Sequence, residues 1–497
     1  MDPEIIDSYG QVKIVRENES EIPKYIILPP DLSPSDQKIV DDPLSVVDDF
    51  KKVMEKVSEF KSSSEKEEFI TDYLRKNLAK KNVSEENTEY LVLKILDDVF
   101  LGYGLIGDLI RDDQLEEIMI NNVNVPIFII HRKYGMCTTN LKFTDYKQLD
   151  KFIHWMSNYA GREISSERPL FDAHLPDGSR VNVVIPPASP HGPAITIRKF
   201  KKTPFNIIEL IKIGTLTEGL GAFFWVCVEG FGLKPCDILI SGGAGSGKTT
   251  LLNALAMFIP KTERVVTIED TLELNFGYIE NWVSLEATPY SIGQDSQLDM
   301  HMLVKNSLRM RPDRVIVGEV RGSEAETLLV AMDIGLDGSM GTIHANNARE
   351  TTIRLMEQPM NVPVRMIPLV DLIVVLNRIF DRSKGLVRRV TQVSEVSGVE
   401  EDVVQLGDIF SWDVETDQIS RTMYPIILKE KIARGVGITK KRLNTELYIR
   451  ERVLKYMVDN NITENNEVIS IFQRYHYNPK SVIQAIKDNK SLDAPEE

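Results

Sequence analysis

A glycine-rich segment at residues 242–249, Gly-Gly-Ala-Gly-Ser-Gly-Lys-Thr, constrains the fold more than any other feature of this sequence. It follows an apolar run from Asp237 to Ser241 that predicts a strand. It opens a stretch with leucines at helical spacing, Leu251, Leu252 and Leu255. A strand, the pattern GxxxxGK[ST] and a helix together are typical of a P-loop. The sequence therefore predicts a nucleotide-binding α/β domain.

Each residue type in this segment has a physical role in binding phosphate. Glycines let the loop close around the anion, so that backbone N–H groups and the helix amino terminus point at it. Lys248 would reach the β- and γ-phosphates, and the Thr249 hydroxyl would ligate Mg²⁺. The predicted nucleotide-binding residues are Gly242, Gly243, Ala244, Gly245, Ser246, Gly247, Lys248, Thr249 and Thr250.

Composition limits the partners and the compartment. A net charge of -15 disfavours duplex DNA or RNA as the main partner, because phosphate binding requires a basic surface. The three cysteines are scattered, which fits a reducing cytoplasm. No run approaches the ~20 apolar residues that a spanning helix requires, so we expect no direct membrane insertion. A membrane role would then act through a partner protein.

Changes in pattern divide the 497 residues into several regions. We expect an acidic mobile segment over 1–42, a helical subdomain over 43–111, a mixed α+β domain over 112–200 and a linker over 201–204. Strands that alternate with helices predict βα units and a mostly parallel sheet over 205–420, the part of the chain that carries the P-loop. Helical spacing predicts a helical region over 421–497.

Residues 421–450 carry eight basic and two acidic side chains, in a protein that is acidic overall. A solvated helix face explains such a run, and so does contact with an acidic or membrane-proximal face of a partner. The pattern leaves both explanations open.

Acidic residues end two further predicted strands. Glu269 and Asp270 follow the apolar run 264–268, and either could orient Mg²⁺ through water. Glu319 follows the run 314–317, at the position of a Walker B acid. A glutamate there can aim the water that attacks the γ-phosphate and accept its proton.

A histidine follows a fourth apolar run, 339–343. His344 is expected at the same edge of the sheet, where a hydrogen bond to the γ-phosphate would let the protein sense hydrolysis. A structural or surface role is the alternative for a lone histidine.

Taken together, these segments resemble the secretion ATPases of type II and type IV systems. The P-loop, TIEDTLEL at 267–274, RPDRVIVGEVRG at 311–322 and GSMGTIHANNARETTIRL at 338–355 resemble the Walker A, Asp, Walker B and His boxes of that family. The resemblance continues upstream through 102–121 and 168–200, and so covers roughly residues 90–400.

This resemblance implies a hexamer in which each nucleotide is held between an amino-terminal domain and a RecA-like domain. Arginines of the amino-terminal domain approach the γ-phosphate in that family, and Arg180 and Arg198 lie in the matching segments. Surface pairing with acidic side chains is the alternative for both. The segment 349–378 resembles the archaeal branch that drives archaellum assembly and rotation, although related archaeal ATPases assemble pili.

Two departures from the family pattern matter. Many members carry a first histidine seven residues before the second, where this chain has Asp337. A two-histidine mechanism is therefore not assumed. Many bacterial members also hold zinc with four cysteines, which three scattered cysteines cannot do.

The sequence thus predicts a cytoplasmic, Mg²⁺-dependent ATPase at the inner face of the membrane. It would pass motion to a membrane platform protein, beside other motor components, and so assemble or turn an archaeal filament. Pilus assembly or protein secretion is the alternative. A nucleic-acid translocase on the same core is the rival from another class, but it would require a basic groove interleaved with aromatics, and the sequence shows none.

Overall fold

The computed structural model describes residues 4–17, 21–60, 63–81, 83–199, 204–287, 298–381 and 385–488. The chain divides into two units, Met1–Lys201 and Lys202–Glu497. The linker expected at 201–204 falls at this division, and its residues 201–203 lie outside the described residues.

A nine-stranded sheet, counted over the described residues, organises the first unit. Its strands run in the order β1-β2-β3-β6-β5-β4-β9-β8-β7. All neighbours pair antiparallel except β3 and β6. The strands are β1 Glu4–Tyr9, β2 Val12–Arg16, β3 Lys24–Ile27, β4 Leu115–Asn121, β5 Phe128–His131, β6 Gly135–Thr139, β7 Leu170–His174, β8 Arg180–Val184 and β9 Ala194–Arg198.

Three strands of the acidic amino-terminal segment, β1, β2 and β3, belong to this sheet, whereas composition predicts a mobile segment. Ile14 in β2 and Tyr25 in β3 are fully buried. Asp112 accepts hydrogen bonds from the hydroxyls of Tyr9, at 2.7 Å, and Tyr25, at 2.5 Å. A count of charges misses this arrangement, because the apolar residues of β2 are buried while its two charged residues are exposed.

Helices form a separate small core within the first unit. It is built from α1 Pro34–Asp41, α2 Phe50–Val57, α3 Ser63–Ala79 and α4 Glu85–Ile95, which continues into a π-helical segment, Leu96–Leu101. Leu74, Leu78 and Leu91 are fully buried there. Two further helices, α5 Gly107–Arg111 and α6 Tyr146–Ala160, pack on the sheet.

The second unit contains a nine-stranded sheet of a different kind, again over the described residues. Its order is β12-β11-β13-β14-β10-β15-β16-β17-β18. The first six of these are parallel, and the last four, from β15 on, are joined as antiparallel hairpins. The strands are β10 Ile238–Gly242, β11 Val265–Glu269, β12 Trp282–Glu286, β13 Arg314–Val320, β14 Met340–Ile343, β15 Leu372–Asp381, β16 Gly385–Glu400, β17 Val403–Asp413 and β18 Gln418–Arg421.

Both faces of this sheet are covered, as a parallel sheet requires. Ile238 and Ile240 of β10 belong to one buried cluster, whereas Leu239 between them belongs to another. The covering helices are α7 Ile207–Lys212, α8 Glu218–Glu229, α9 Lys248–Ala256, α10 Met300–Ser307, α11 Glu324–Asp333 and α12 Ala348–Met356. The predicted RecA-like α/β class, with a mostly parallel sheet after a mixed α+β domain and a helical bundle, is confirmed.

Among the described residues after β18, four helices join the core of the second unit. They are α13 Leu428–Val436, α14 Lys440–Asp459, α15 Asn465–Tyr477 and α16 Pro479–Lys487. Arg450, the last cation of the basic stretch, is buried, pairs with Glu229 and lies 4.9 Å from the ring centre of Trp225. That residue is therefore part of the core, not of a solvated face. Among the helices that the structure describes, none combines the length and apolarity needed to cross a bilayer.

Candidate functional site

The segment 242–249 forms a loop between β10 and α9 whose backbone requires glycine. Gly245 and Gly247 have φ angles of +68° and +96°, in the left-handed region that other residues adopt only with strain. At Gly242, a Cβ would collide with the carbonyl oxygen of Leu376 and with Ser246 Oγ. The predicted P-loop sequence therefore folds as the tight turn that the motif demands.

Lys248 begins α9 and folds back along the loop. Its Nζ donates hydrogen bonds to the carbonyl oxygens of Gly242 and Gly243, both at 3.1 Å. Thr249 and Thr250 follow in the first helical turn and are half-buried, whereas Ala244 at the tip of the loop is exposed. A helix amino terminus with its unpaired N–H groups and an ammonium group is suited to a phosphate anion.

The loop that follows β14 lies against the P-loop strand. The hydroxyl of Ser241 donates to the carbonyl oxygen of Ala345 at 2.9 Å, and Thr351 Oγ1 donates to Ser241 Oγ at 2.9 Å. A Cβ at Gly243 would lie 3.9 Å from Asn346 Oδ1. His344 is half-buried and begins this loop directly after β14. Because β14 pairs in parallel with β10, His344 lies at the same sheet edge as the P-loop.

Two of the predicted acids share one arginine. Arg321 donates to Glu319 Oε2 at 2.5 Å and to Asp270 Oδ2 at 3.3 Å. The hydrogen bond from Arg321 to Glu319 raises the pKa of the guanidinium above its usual value. Glu319 lies within β13, which runs three residues further than the apolar run predicted. Arg321 was not predicted as a site residue, although it lies two residues after Glu319 in the segment that resembles a Walker B box.

Glu269 has a different environment from its neighbour Asp270. It is 1% exposed, and its Oε1 accepts hydrogen bonds from the backbone N–H groups of Glu273 and Leu274 at 2.8 and 3.0 Å. Burial raises the pKa of its carboxyl to about 7, although these two bonds lower it. Oε2 is buried with no hydrogen-bond partner among the described residues. Of the two acids left open by the sequence, Asp270, with a side chain 38% exposed, is the one that faces solvent.

Metal binding at this edge would rest on a small set of oxygen donors. The described residues contain no group of three or more His, Cys, Asp or Glu side chains that could hold a metal ion by themselves. Carboxylates and hydroxyls are nevertheless the donors that Mg²⁺ prefers, and it commonly binds one or two of them together with waters and substrate phosphates. Thr249 and Asp270 fit that chemistry.

The two arginines that are predicted to approach the γ-phosphate, Arg180 and Arg198, lie on neighbouring strands of the first unit. Arg180 in β8 is directly opposite Arg198 in β9. Arg180 Nη2 also lies 3.6 Å from Asp172 Oδ1, with both side chains about 40% exposed, so the pairing is of the weak surface type.

Asp337 is at the opposite end of β14 from His344, since it precedes that strand. Its carboxylate accepts a hydrogen bond from Lys234 at 2.5 Å. It therefore has an ion-pair role at the amino-terminal edge of the sheet and lies away from the edge that carries the P-loop.

The family model described as "Type II/IV secretion system protein" matches residues 102–412. One relative, an uncharacterized protein of Methanocaldococcus jannaschii, is 46% identical over 277 residues, which are 55% of this chain and 37% of that protein. The chain thus spans little more than a third of that relative. A second uncharacterized protein of the same organism is 32% identical over 400 residues, 79% of this chain and 70% of the relative.

A solved structure with a similar sequence is the VirB11 ATPase from the Brucella suis type IV secretion system in complex with sulphate. It is 27% identical, covers 57% of this chain and 90% of its own, and superposes with a TM-score of 0.31.

Proposed function

Since the chain belongs to the type II/IV secretion system protein family, we propose that it hydrolyses ATP with Mg²⁺ to drive a membrane-associated assembly machine. One observation carries this proposal. Glu319 and Asp270 meet at Arg321, on the sheet edge that also bears the P-loop and His344. In a chain that only bound nucleotide, Glu319 would be dispensable.

Binding is the task of the P-loop. The backbone N–H groups of residues 243–249 and the start of α9 would hold the β- and γ-phosphates, and the ammonium of Lys248 would turn from its carbonyl partners toward them. Thr249 and Asp270 would hold Mg²⁺. When bound, the ion supplies neutralisation of the phosphate charge that develops during transfer.

Glu319 is the proposed general base. Its carboxylate would orient a water molecule toward the γ-phosphate and accept its proton. Arg321 would position that carboxylate through the 2.5 Å hydrogen bond. His344 would donate a hydrogen bond to the γ-phosphate. That bond would break when the γ-phosphate is released, so the protein would sense hydrolysis.

Arg180 and Arg198 would complete the site as neutralising cations. Because they lie on adjacent strands of the first unit, they can approach an anion together. We propose that they do so in a homo-hexamer, where interface contacts complete each site, and that an isolated subunit turns over slowly.

The finer proposal concerns the machine. Segment 349–378 resembles the archaeal branch that powers archaellum assembly and rotation, so the protein would act at the inner face of the membrane on a platform protein. Type IV pilus assembly and protein secretion are the alternatives within the same family.

Specific ATPase activity measured against protein concentration, with oligomer size followed by light scattering, tests this function. We expect activity per subunit to rise as rings form. Equal activity in a strict monomer would contradict the shared-interface mechanism. Stimulation by single-stranded DNA, and not by membrane components, would favour the translocase instead.

A further inference from the structure

The hairpin formed by β15 and β16 lies against the tip of the P-loop. Arg388 Nε donates a hydrogen bond to the carbonyl oxygen of Gly245 at 2.9 Å. A Cβ built at Gly245 would lie 3.2 Å from Arg378 Nη1, and one at Gly247 would lie 3.4 Å from Arg388 Cδ. Two guanidinium side chains from outside the motif therefore flank the two glycines that shape the loop.

These two arginines also face each other. Arg378 in β15 and Arg388 in β16 are direct partners in the antiparallel ladder. Like charges directly opposite each other destabilise a sheet, because their Cβ atoms are only ~5 Å apart. The fold therefore holds two cations together beside the loop that is predicted to bind phosphate.

Arg389, the next residue along β16, lies in a separate ion pair. Arg389 is 4% exposed and pairs with both carboxylate oxygens of Asp417, at 2.8 and 2.9 Å. Arg378 is exposed and Arg388 half-buried, and both lie beside the glycines of the P-loop. Strand alternation places Arg389 on the opposite face from Arg388.

We infer that Arg378 and Arg388 are phosphate-binding residues supplied by the same subunit, forming a second wall of the nucleotide site. The inference deepens the proposed function and rests on it. The bond from Arg388 Nε to Gly245 fixes the guanidinium plane beside the loop. A guanidinium presents five N–H donors in a planar fork that matches phosphate oxygens, which makes it the preferred partner for such anions.

Calorimetric titration of the full chain with inorganic tripolyphosphate and with ADP tests this site, since neither ligand requires hydrolysis. We expect Arg388→Gln and Arg378→Gln each to weaken both ligands about tenfold, because each removes a charge-assisted hydrogen bond. Arg388→Lys should recover only part of the loss, because an ammonium lacks the planar fork.

Arg421→Gln is the matched control. It removes the same charge from an exposed position on β18, the far edge strand of the same sheet, and should leave both affinities unchanged. Arg378→Gln keeps the test decisive if the Arg388 variant unfolds, because Arg378 is exposed on the sheet surface.

The possible outcomes distinguish the inferred role of the two arginines from the proposed ATPase function. If the natural chain binds ADP and hydrolyses ATP while both glutamine variants bind tripolyphosphate within twofold of it, the second wall does not exist and the ATPase stands. An equal loss in Arg421→Gln would reduce the effect to net charge and also overturn the inference. If the natural chain binds neither ligand, the nucleotide site itself is refuted.

Discussion

Asp237 should make the folded protein less stable as the pH rises through neutrality. The carboxyl precedes β10, is 5% exposed and accepts a hydrogen bond from the Ser339 N–H at 2.9 Å. Burial is the main cause that raises the pKa of the Asp237 carboxyl to about 8, and the nearby carboxylates of Asp371 and Asp337 raise it further. Lys431, which pairs with Asp371, partly opposes them.

The direction and the size of the pH effect on the free energy of unfolding follow from this pKa shift. Between pH 4 and 8 the folded chain holds a proton at Asp237 that the unfolded chain has released, so the free energy of unfolding falls as pH rises. The stabilisation is complete below the unfolded pKa of 3.8 and is lost as pH passes through about 8. The slope is about 1.4 kcal/mol per pH unit, which sums to roughly 6 kcal/mol.

Asp237→Asn removes the titration and keeps the acceptor for Ser339. Guanidinium unfolding, followed by circular dichroism at several pH values, should show the variant gaining on the natural chain by about 3 kcal/mol between pH 5 and 7.5. Asp413→Asn is the control, because a hydrogen bond from the Thr416 N–H lowers the pKa of this exposed carboxyl, so it stays ionised throughout that range. Parallel stability curves for Asp237→Asn and the natural chain would refute the reasoning, since they would mean that Asp237 is ionised in the fold.

Three further substitutions test the site and its support. Gly318→Ala places a Cβ 2.8 Å from Glu269 Cγ. ATP turnover should fall at least tenfold, and the free energy of unfolding, measured by denaturation, should fall by about 1–3 kcal/mol. Arg321→Gln should lower kcat tenfold to a hundredfold by releasing Glu319, yet barely shift Tm, because Arg321 is 65% exposed. An unchanged kcat would remove its positioning role. Arg450→Ala removes the guanidinium partner of the buried Glu229 carboxylate, which would still contact His476, and should cost roughly 3–5 kcal/mol of unfolding free energy. A loss below ~1 kcal/mol would contradict the buried pair.

The parallel core and its loop were predictable from local sequence alone. Apolar runs of four or five residues mark β10, β11, β13 and β14, because a parallel strand is buried on both faces. The glycines and Lys248 specify a loop whose function depends on its backbone. Acids at the carboxyl ends of adjacent strands then had to meet at one edge.

Other features depend on contacts between residues far apart in sequence. Nothing local separates Glu269 from Asp270, and only the fold places one in the interior and the other facing solvent. Charge counting assigned Arg450 to a basic stretch, whereas its buried partner, Glu229, lies more than 200 residues away. Arg388 reaches the P-loop only because β15 pairs with β10 and turns back as β16.

Glu319→Gln, assayed for ATP turnover and for ATP binding in the same preparation, tests whether Glu319 is the general base of an ATPase. The substitution keeps the size and the hydrogen-bonding oxygen of the side chain but removes the base. We expect kcat to fall by about 10²–10⁴ while the Kd for ATP changes less than threefold. Turnover that persists within tenfold of the natural chain would contradict it, because another group would then be activating the attacking water.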